Sequence, residues 1–247
     1  MIPQIIHYIW FGGGKMSPLS IKCINSWEEI LPNYKIMLWD ENNFNPEDSF
    51  PYVRDAYEAK KWAFVSDYVR LMALYEYGGI YLDTDMELLK PFDSILEYNG
   101  FLCAESNHTI SSAIIASAPK TQWVKDLMDE YANLQFVKED GSYDVIPNTK
   151  RYQRYFERRY AYHWSDDIQK FDDDMLILPR DYFSPINCFT GLTKMTDRTC
   201  GIHHYESSWK SDYDMIKNKL MQIGTRIIGE DNRARLVKLR HMGGDKF

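Results

Sequence analysis

Apolar runs and amphipathic stretches alternate in the N-terminal part of the chain. Residues 5–10 are almost wholly apolar and are followed by three glycines, which predicts a buried strand that ends in a loop. Ser17 and Pro18 open an amphipathic helix that extends to about Leu31, and residues 34–39 have the aromatic and β-branched character of a second strand. This order predicts a β-α-β beginning.

A longer helix and a third strand follow. Residues 63–77 carry apolar side chains near helical spacing, and Gly78 and Gly79 supply a left-handed cap that ends the helix. Residues 80–82 then form a short apolar strand with no intervening loop. The chain therefore passes directly from helix to strand at the two glycines.

The remainder continues the alternation of strands and helices. A helix is predicted over 120–134, and 135–175 is expected to hold helices and loops. Further strands are predicted at 100–104, 113–116 and 175–178. Strands that alternate with helices indicate an α/β fold with a mostly parallel central sheet, whose ligands bind at the carboxyl ends of the strands.

The length and composition fit one large globular domain or two small ones. The 247 residues are 45% hydrophobic and 26% charged, which provides enough apolar material for a sizeable core. No apolar run approaches the roughly 20 residues of a transmembrane helix, and the N-terminus lacks the pattern of a signal peptide. We therefore expect a cytoplasmic protein. Its four separated cysteines form no C-x-x-C pair and are expected to be reduced thiols.

The charge is unevenly distributed. Lys and Arg number 29 against 36 Asp and Glu, a net charge of −7 that argues against a nucleic-acid partner. Residues 210–247 hold nine basic and five acidic residues, or +4, so residues 1–209 hold 20 and 31, or −11. We expect a catalytic domain over 1–210 and a basic amphipathic helical tail over 211–247. The tail either packs on the domain or lies peripherally on an anionic membrane.

Asp83 and Asp85 are the sharpest candidates for chemistry. They follow a buried strand and are two residues apart, so an extended backbone would point both carboxylates to the same side. With no basic neighbour in the sequence, such a pair suits Mg²⁺ or Mn²⁺, which would screen a diphosphate leaving group. The alternative is a polar strand end. Two other Asp-x-Asp pairs, at 172–174 and 212–214, lie in polar surroundings typical of solvated surface.

Asp67 and Arg70 share one face of the preceding helix because they are three residues apart. They either form an ion pair within the helix or contact a ligand. In the second case Asp67 would accept hydrogen bonds from sugar hydroxyls and Arg70 would hold a hydroxyl or phosphate oxygen.

Several motifs in order resemble glycosyltransferase family 32. They are IIHYIWFG at 5–12, AFVSDYVR at 63–70 and YEYGGIYLDTD at 75–85, with closing motifs at 177–185 and 202–209. That family includes sugar transferases of bacterial capsule and exopolysaccharide synthesis, and its core is similar to the glucosyltransferase domain of large clostridial toxins. The resemblance implies a single Rossmann-like domain of the GT-A fold and a retaining, metal-dependent hexosyltransferase. The implied partners are a nucleotide-diphosphate sugar, UDP-hexose before GDP-mannose, and a saccharide acceptor in surface glycan synthesis.

The resemblance also implies roles for individual residues. Trp10 would stack on the nucleobase, and Asp67 and Arg70 would contact the donor sugar. Tyr81 would lie at the nucleotide edge, whereas Asp83 and Asp85 would bind the Mn²⁺ or Mg²⁺ ion and the ribose. The distal segment would complete the metal and diphosphate site with His203 or His204, Ser208 and Trp209. The family pattern fades over residues 105–170, so the acceptor stays open.

A front-face attack, with the acceptor hydroxyl deprotonated by the leaving phosphate, is favoured because no side chain stands out as a nucleophile. Two other classes remain open on the sequence. A metal-dependent phosphohydrolase would use the same carboxylates without an acceptor or Trp10. A catalytically silent sugar-nucleotide binding protein would bind the donor without turnover.

Overall fold

The computed structural model describes residues 1–105, 109–206 and 221–229. Its strands are β1 (Ile5–Ile9), β2 (Lys35–Trp39), β3 (Gly79–Leu82), β4 (Met86–Leu88), β5 (Gly100–Ala104), β6 (Ile110–Ser117), β7 (Gln169–Phe171), β8 (Met175–Leu178) and β9 (Gly201–His203). Its helices are α1 (Pro18–Ile30), α2 (Pro51–Glu58), α3 (Trp62–Tyr77), α4 (Gln122–Asp129), α5 (Asn148–Tyr160) and α6, over 221–228. None of the described helices is long and apolar enough to cross a bilayer.

Seven strands form the central sheet in the order β2-β1-β3-β6-β5-β8-β7. β1 pairs in parallel with β2 and β3, and β5 pairs in parallel with β8, whereas β6 and β7 run antiparallel to their neighbours. Five of the seven strands therefore point the same way, and the predicted α/β class with a mostly parallel central sheet is confirmed. β4 and β9 form a separate antiparallel pair.

The elements begin and end for local reasons that the sequence contains. Ser17 caps α1, because its Oγ accepts a hydrogen bond from the Ser20 N–H at 3.0 Å. α3 ends at Gly78, whose φ of +63° is strained for any residue with a Cβ. A Cβ at Gly79 would lie 2.5 Å from the Ile5 carbonyl oxygen. The two glycines thus let β3 start at once and lie tightly beside β1.

Apolar clusters cover both faces of the sheet, so the alternation along β3 divides its side chains between them. Tyr81 packs on the face covered by α2 to α5, and Ile80 and Leu82 pack on the opposite face with Trp27 of α1. Covering both faces leaves the carboxyl ends of β1 and β3 as a natural place for polar chemistry.

Two segments differ from the expected elements. The helix expected over 120–134 is shorter, because α4 ends at Asp129 and a 3-10 turn over Glu130–Asn133 follows. The polar stretch 135–175 contains an expected helix, α5, which begins at Asn148 and buries Tyr152, Tyr155 and Phe156, but it also contains the strand β7, which the sequence pattern did not predict. Of the predicted tail, residues 221–228 are helical, and the rest of 211–247 lies outside the described residues.

Candidate active site

Asp83 and Asp85 lie in the tight turn between β3 and β4. The Asp83 N–H donates to the Ala113 carbonyl of β6 at 2.8 Å, and the Met86 N–H donates to the Asp83 carbonyl at 2.9 Å. The hydroxyl of Tyr81 donates to Asp83 Oδ1 at 2.6 Å. Backbone bonds on both sides thus hold the turn at the carboxyl end of β3.

His203 reaches this turn through the pairing of β4 with β9. Met86 is the register partner of His203, and His203 Nε2 lies 3.5 Å from Asp85 Oδ1. One ligand atom from each of Asp83, Asp85 and His203 falls within 4.8 Å of the other two. Three potential ligands from two distant segments therefore meet at one point.

His204 points elsewhere, as expected for the neighbour of a strand residue. Its Nε2 lies 2.8 Å from Oε2 of Glu87, whose other oxygen pairs with Lys22 at 2.7 Å. The structure therefore brings His203 to the two aspartates and leaves His204 hydrogen-bonded to Glu87, away from them.

The electrostatics of the cluster reflect its excess of carboxylates. Burial opposes the charged form of His203, but Asp85, Asp83 and Glu105 outweigh it and raise the pKa of His203 to about 9. Burial likewise opposes ionisation of Asp85, yet His203 and the Glu206 N–H hold the pKa of that carboxyl below its usual range. Two carboxylates and an imidazole are a donor set that fits a divalent cation such as Mn²⁺. His203 would give up its proton on binding that cation.

Arg70 links the aspartate turn to α3. Its Nη2 lies 2.9 Å from Asp67 Oδ1, and its Nη1 lies 3.4 Å from Asp83 Oδ1. Nη1 also donates to the Ser112 carbonyl at 2.7 Å, and the guanidinium carbon lies 4.5 Å from the centroid of the Tyr81 ring. The ion pair within the helix is thus present, and the premise that the aspartates lack a basic neighbour is wrong.

Asp67 lies in a desolvated position. Burial raises the pKa of Asp67 to about 6, although the Arg70 guanidinium acts in the opposite direction. Its carboxylate keeps 14% side-chain exposure against 6% for Arg70. Asp67 is therefore the more accessible partner for a ligand, and Arg70 is the group that orients it.

Of the two aromatic residues predicted to bind the nucleotide, Tyr81 is buried and Trp10 is partly exposed. Tyr81 is buried beneath Arg70, so its hydroxyl acts on Asp83 rather than at an exposed edge. Trp10 follows β1 and is partly exposed, and its Nε1 donates to the Gly14 carbonyl at 2.6 Å. The indole thereby closes the glycine loop that the sequence placed after the first strand.

Glu206 also contacts the site, at a position that no functional prediction singled out. Its N–H donates to Asp85 Oδ2 at 2.8 Å, and its Oε2 accepts from Ser17 Oγ at 2.9 Å. Glu105 is a second acidic neighbour, whose charge acts on His203. A lone Glu after a predicted strand carries no distinctive sequence pattern that would identify it. Ser208 and Trp209, two predicted donor-binding residues, lie outside the described residues.

Comparison with known proteins identifies the family of the region that holds this site. The family described as "Glycosyltransferase sugar-binding region containing DXD motif" matches residues 17–102, which include both aspartates of the turn. This region is a DXD-motif glycosyltransferase region. The resemblance to glycosyltransferase family 32 is thereby confirmed.

Individual relatives of this glycosyltransferase region are distant. Inositol phosphoceramide mannosyltransferase 3 of Schizosaccharomyces pombe is 28% identical over 123 residues, covering 47% of this chain and 33% of the relative. An uncharacterized glycosyltransferase of Acanthamoeba polyphaga mimivirus is 27% identical over 233 residues, covering 88% of this chain and 87% of the relative. The structure titled PaToxG Glycosyltransferase superimposes with a TM-score of 0.49 at 16% identity, covering 65% of this chain and 70% of that one. The chain spans about a third or less of the length of the first curated relatives it matches.

Proposed function

We propose that the protein is a metal-dependent glycosyltransferase that moves a hexose from a nucleotide-diphosphate sugar to a saccharide acceptor. The observation that carries the proposal is the convergence of Asp83, Asp85 and His203 within 4.8 Å, beside the Asp67–Arg70 pair. Asp83, Asp85 and His203 would hold Mn²⁺ or Mg²⁺. When bound, that cation supplies positive charge to the departing diphosphate.

The protein's own residues would divide the work around the donor. Asp67 would accept hydrogen bonds from the sugar hydroxyls, because it is the partly exposed end of the Asp67–Arg70 pair. Arg70 would hold Asp67 and Asp83 apart in fixed positions, since its donors already contact both carboxylates and the Ser112 carbonyl. Trp10 would cover the nucleobase from the end of β1.

Retention with front-face attack is the stereochemistry that this arrangement supports. Asp67 is held by Arg70, which suits it to accepting hydrogen bonds rather than attacking the anomeric carbon as a free nucleophile. The acceptor hydroxyl would then lose its proton to the leaving phosphate. Analysis of the anomeric configuration of the product tests this: an α-linkage from an α-linked donor agrees, and a β-linkage contradicts it.

Two kinds of nucleotide sugar are candidate donors. UDP-hexoses are our first candidates, and the relative named a mannosyltransferase makes GDP-mannose the second. A thermal-shift screen of nucleotide sugars with and without Mn²⁺, followed by donor hydrolysis assays, tests donor and metal together. Phosphate release from simple esters without a sugar nucleotide would favour a phosphohydrolase. Binding with neither hydrolysis nor transfer would favour a silent binding protein.

The acceptor would be a saccharide in capsular, exopolysaccharide or other surface glycan synthesis, carried on a lipid at the inner face of a membrane. Residues 211–247 would form a tail distinct from the 1–210 catalytic domain, and its basic residues support peripheral contact with anionic lipid. α6 exposes 80% of Ile227, and its Gln222 donates to the Cys188 carbonyl at 3.0 Å. Because α6 contacts the domain, substitution is a cleaner test than deletion.

The membrane test therefore uses the whole chain with Arg233, Arg235, Lys238 and Arg240 changed to Gln. Co-sedimentation with vesicles of phosphatidylserine and phosphatidylcholine should fall in this variant while donor hydrolysis stays at the wild-type rate. Equal sedimentation of the two proteins would contradict a membrane role for these residues.

A further inference from the structure

Asn148, the first residue of α5, connects α5 to the turn of α3 that carries Asp67. Its side chain is 2% exposed. Nδ2 donates to the Asp67 carbonyl oxygen at 3.0 Å and to the Tyr152 hydroxyl at 3.2 Å, and Oδ1 accepts from the Tyr131 hydroxyl at 3.0 Å. One buried amide therefore joins α5 to α3 and to the 3-10 turn that carries Tyr131, directly behind a candidate donor-binding residue.

The orientation of this amide follows from its partners. A carbonyl oxygen can only accept, so Nδ2 must be the atom that faces Asp67. The second N–H then points to Tyr152, and Oδ1 is left for the Tyr131 hydroxyl. Each polar atom of the amide is bonded, and a flipped amide would lose the contact with Asp67.

The bond to Asp67 is additional to regular helix bonding. Asp67 lies inside α3, where its carbonyl oxygen already faces the N–H four residues ahead in the helical pattern. The extra donor therefore serves no need of the helix backbone. It fixes the distance between α5 and the α3 turn from which Asp67 extends to Arg70, 2.9 Å away.

The partners of Asn148 are themselves rigid. Tyr131 and Tyr152 are 2% and 1% exposed, and the Tyr131 ring packs at 5.3 Å from both Tyr52 and Tyr68. Close packing restricts aromatic rings to one rotamer, so the hydroxyl that orients Asn148 has a defined position. A displacement of Asn148 would be passed to Asp67 rather than absorbed by these rings.

We propose that Asn148 is a positioning residue for donor-sugar binding, acting through Asp67 without touching the donor. The proposal rests on the proposed function, in which Asp67 binds the sugar while Trp10 and the aspartate turn bind the nucleotide. Loss of Asn148 should therefore weaken binding of the intact donor and spare the nucleoside diphosphate.

Three variants separate this role from a general loss of packing. Asn148→Leu removes all three hydrogen bonds at similar volume. Tyr131→Phe removes only the hydroxyl that orients the amide. Tyr155→Phe is the matched control, because Tyr155 lies on the same helix and its hydroxyl donates to Asp126 of α4 at 2.8 Å, away from Asp67.

Calorimetry with Mn²⁺ would compare UDP with UDP-glucose and GDP with GDP-mannose for each protein. Asn148→Leu is expected to lower the affinity for the sugar nucleotide about tenfold and for the diphosphate less than about twofold. The quantity that decides the test is the ratio of the affinity for the sugar nucleotide to the affinity for the nucleoside diphosphate. Tyr131→Phe should lower this ratio by a smaller factor, and Tyr155→Phe should keep the wild-type ratio.

The outcomes distinguish the two proposals. If the wild type binds sugar nucleotides but the Asn148→Leu ratio is unchanged, or both affinities fall together, the positioning role is wrong while the proposed function stands. If the wild type binds no sugar nucleotide, the proposed function fails and the role of Asn148 fails with it. Should Asn148→Leu not fold, the ratio for Tyr131→Phe decides.

Discussion

Nε2 of His203 lies 3.5 Å from Oδ1 of Asp85, whereas the adjacent His204 places its Nε2 2.8 Å from Glu87. The two neighbouring imidazoles therefore face different carboxylates. Because β9 pairs with β4 beside the aspartate turn, the register of one short strand pair selects which histidine can join a metal site.

The histidine pair gives a direct prediction. His203→Gln should abolish the Mn²⁺-dependent part of sugar-nucleotide binding, because it removes one of three converging ligands. His204→Gln should keep that binding, since its side chain contacts Glu87 instead. Thermal shift with and without Mn²⁺ measures both, and loss in His204→Gln with retention in His203→Gln would reverse the assignment.

The aspartate turn gives a second prediction. Asp83→Asn and Asp85→Asn should each lower donor hydrolysis by at least about a hundredfold, as expected when charge stabilisation of a leaving group is lost. Their circular dichroism should match the wild type, because backbone bonds fix the turn. Asp172→Asn is the control from an exposed acidic cluster and should be fully active. Wild-type turnover in either turn variant would exclude the metal assignment.

Trp10 gives a third prediction. Trp10→Ala should weaken nucleoside diphosphate binding by about 1 kcal/mol through lost stacking. Trp10→Phe keeps an aromatic face but loses the 2.6 Å bond from Nε1 to the Gly14 carbonyl, so it should retain most of the affinity. If calorimetry finds equal losses in the two variants, the indole acts by holding the glycine loop rather than by stacking.

His7 gives a prediction on stability and pH. It is fully buried, its Nε2 donates to the Gly78 carbonyl at 2.8 Å, and its Nδ1 accepts from Trp39 Nε1 at 3.1 Å. Burial, with a smaller contribution from Lys35, lowers the pKa of His7 from 6.5 to about 4. Between these two pH values His7 binds more protons in the unfolded chain than in the folded protein. The contribution of His7 to the free energy of unfolding therefore falls by up to about 3 kcal/mol as the pH falls from 6.5 to 4.

Urea unfolding of wild type and His7→Gln at pH 7 and pH 5 measures this contribution. Asp67, with its pKa raised to about 6, acts in the opposite direction over part of the range. The difference between the two proteins therefore isolates His7. The difference in unfolding free energy between wild type and His7→Gln should be smaller at pH 5 than at pH 7. The control His163→Gln, which replaces an exposed histidine, should have the wild-type unfolding free energy at both pH values. If this difference is the same at both pH values, unfolding does not change proton binding by His7 and the prediction is wrong.

Much of the fold could be predicted because its signals are local. Ser17 and Pro18 start α1, Gly78 ends α3 and the apolar run before Asp83 forms β3, each through contacts within a few residues. For α5 the sequence predicts a helix within 135–175 but not its bounds, because the polar, Tyr- and Arg-rich composition hides the apolar stripe that is buried in the core. Its bounds depend on packing that local periodicity expresses weakly.

The candidate site divides in the same way. The sequence by itself determined that two carboxylates follow a buried strand and that Asp67 and Arg70 share a helix face. Only the tertiary structure placed Arg70 3.4 Å from Asp83, chose His203 over His204 and set Asn148 behind Asp67. Spacing along a helix or strand fixes which side chains share a face, but contacts between elements depend on strand register and on how helices pack across the sheet.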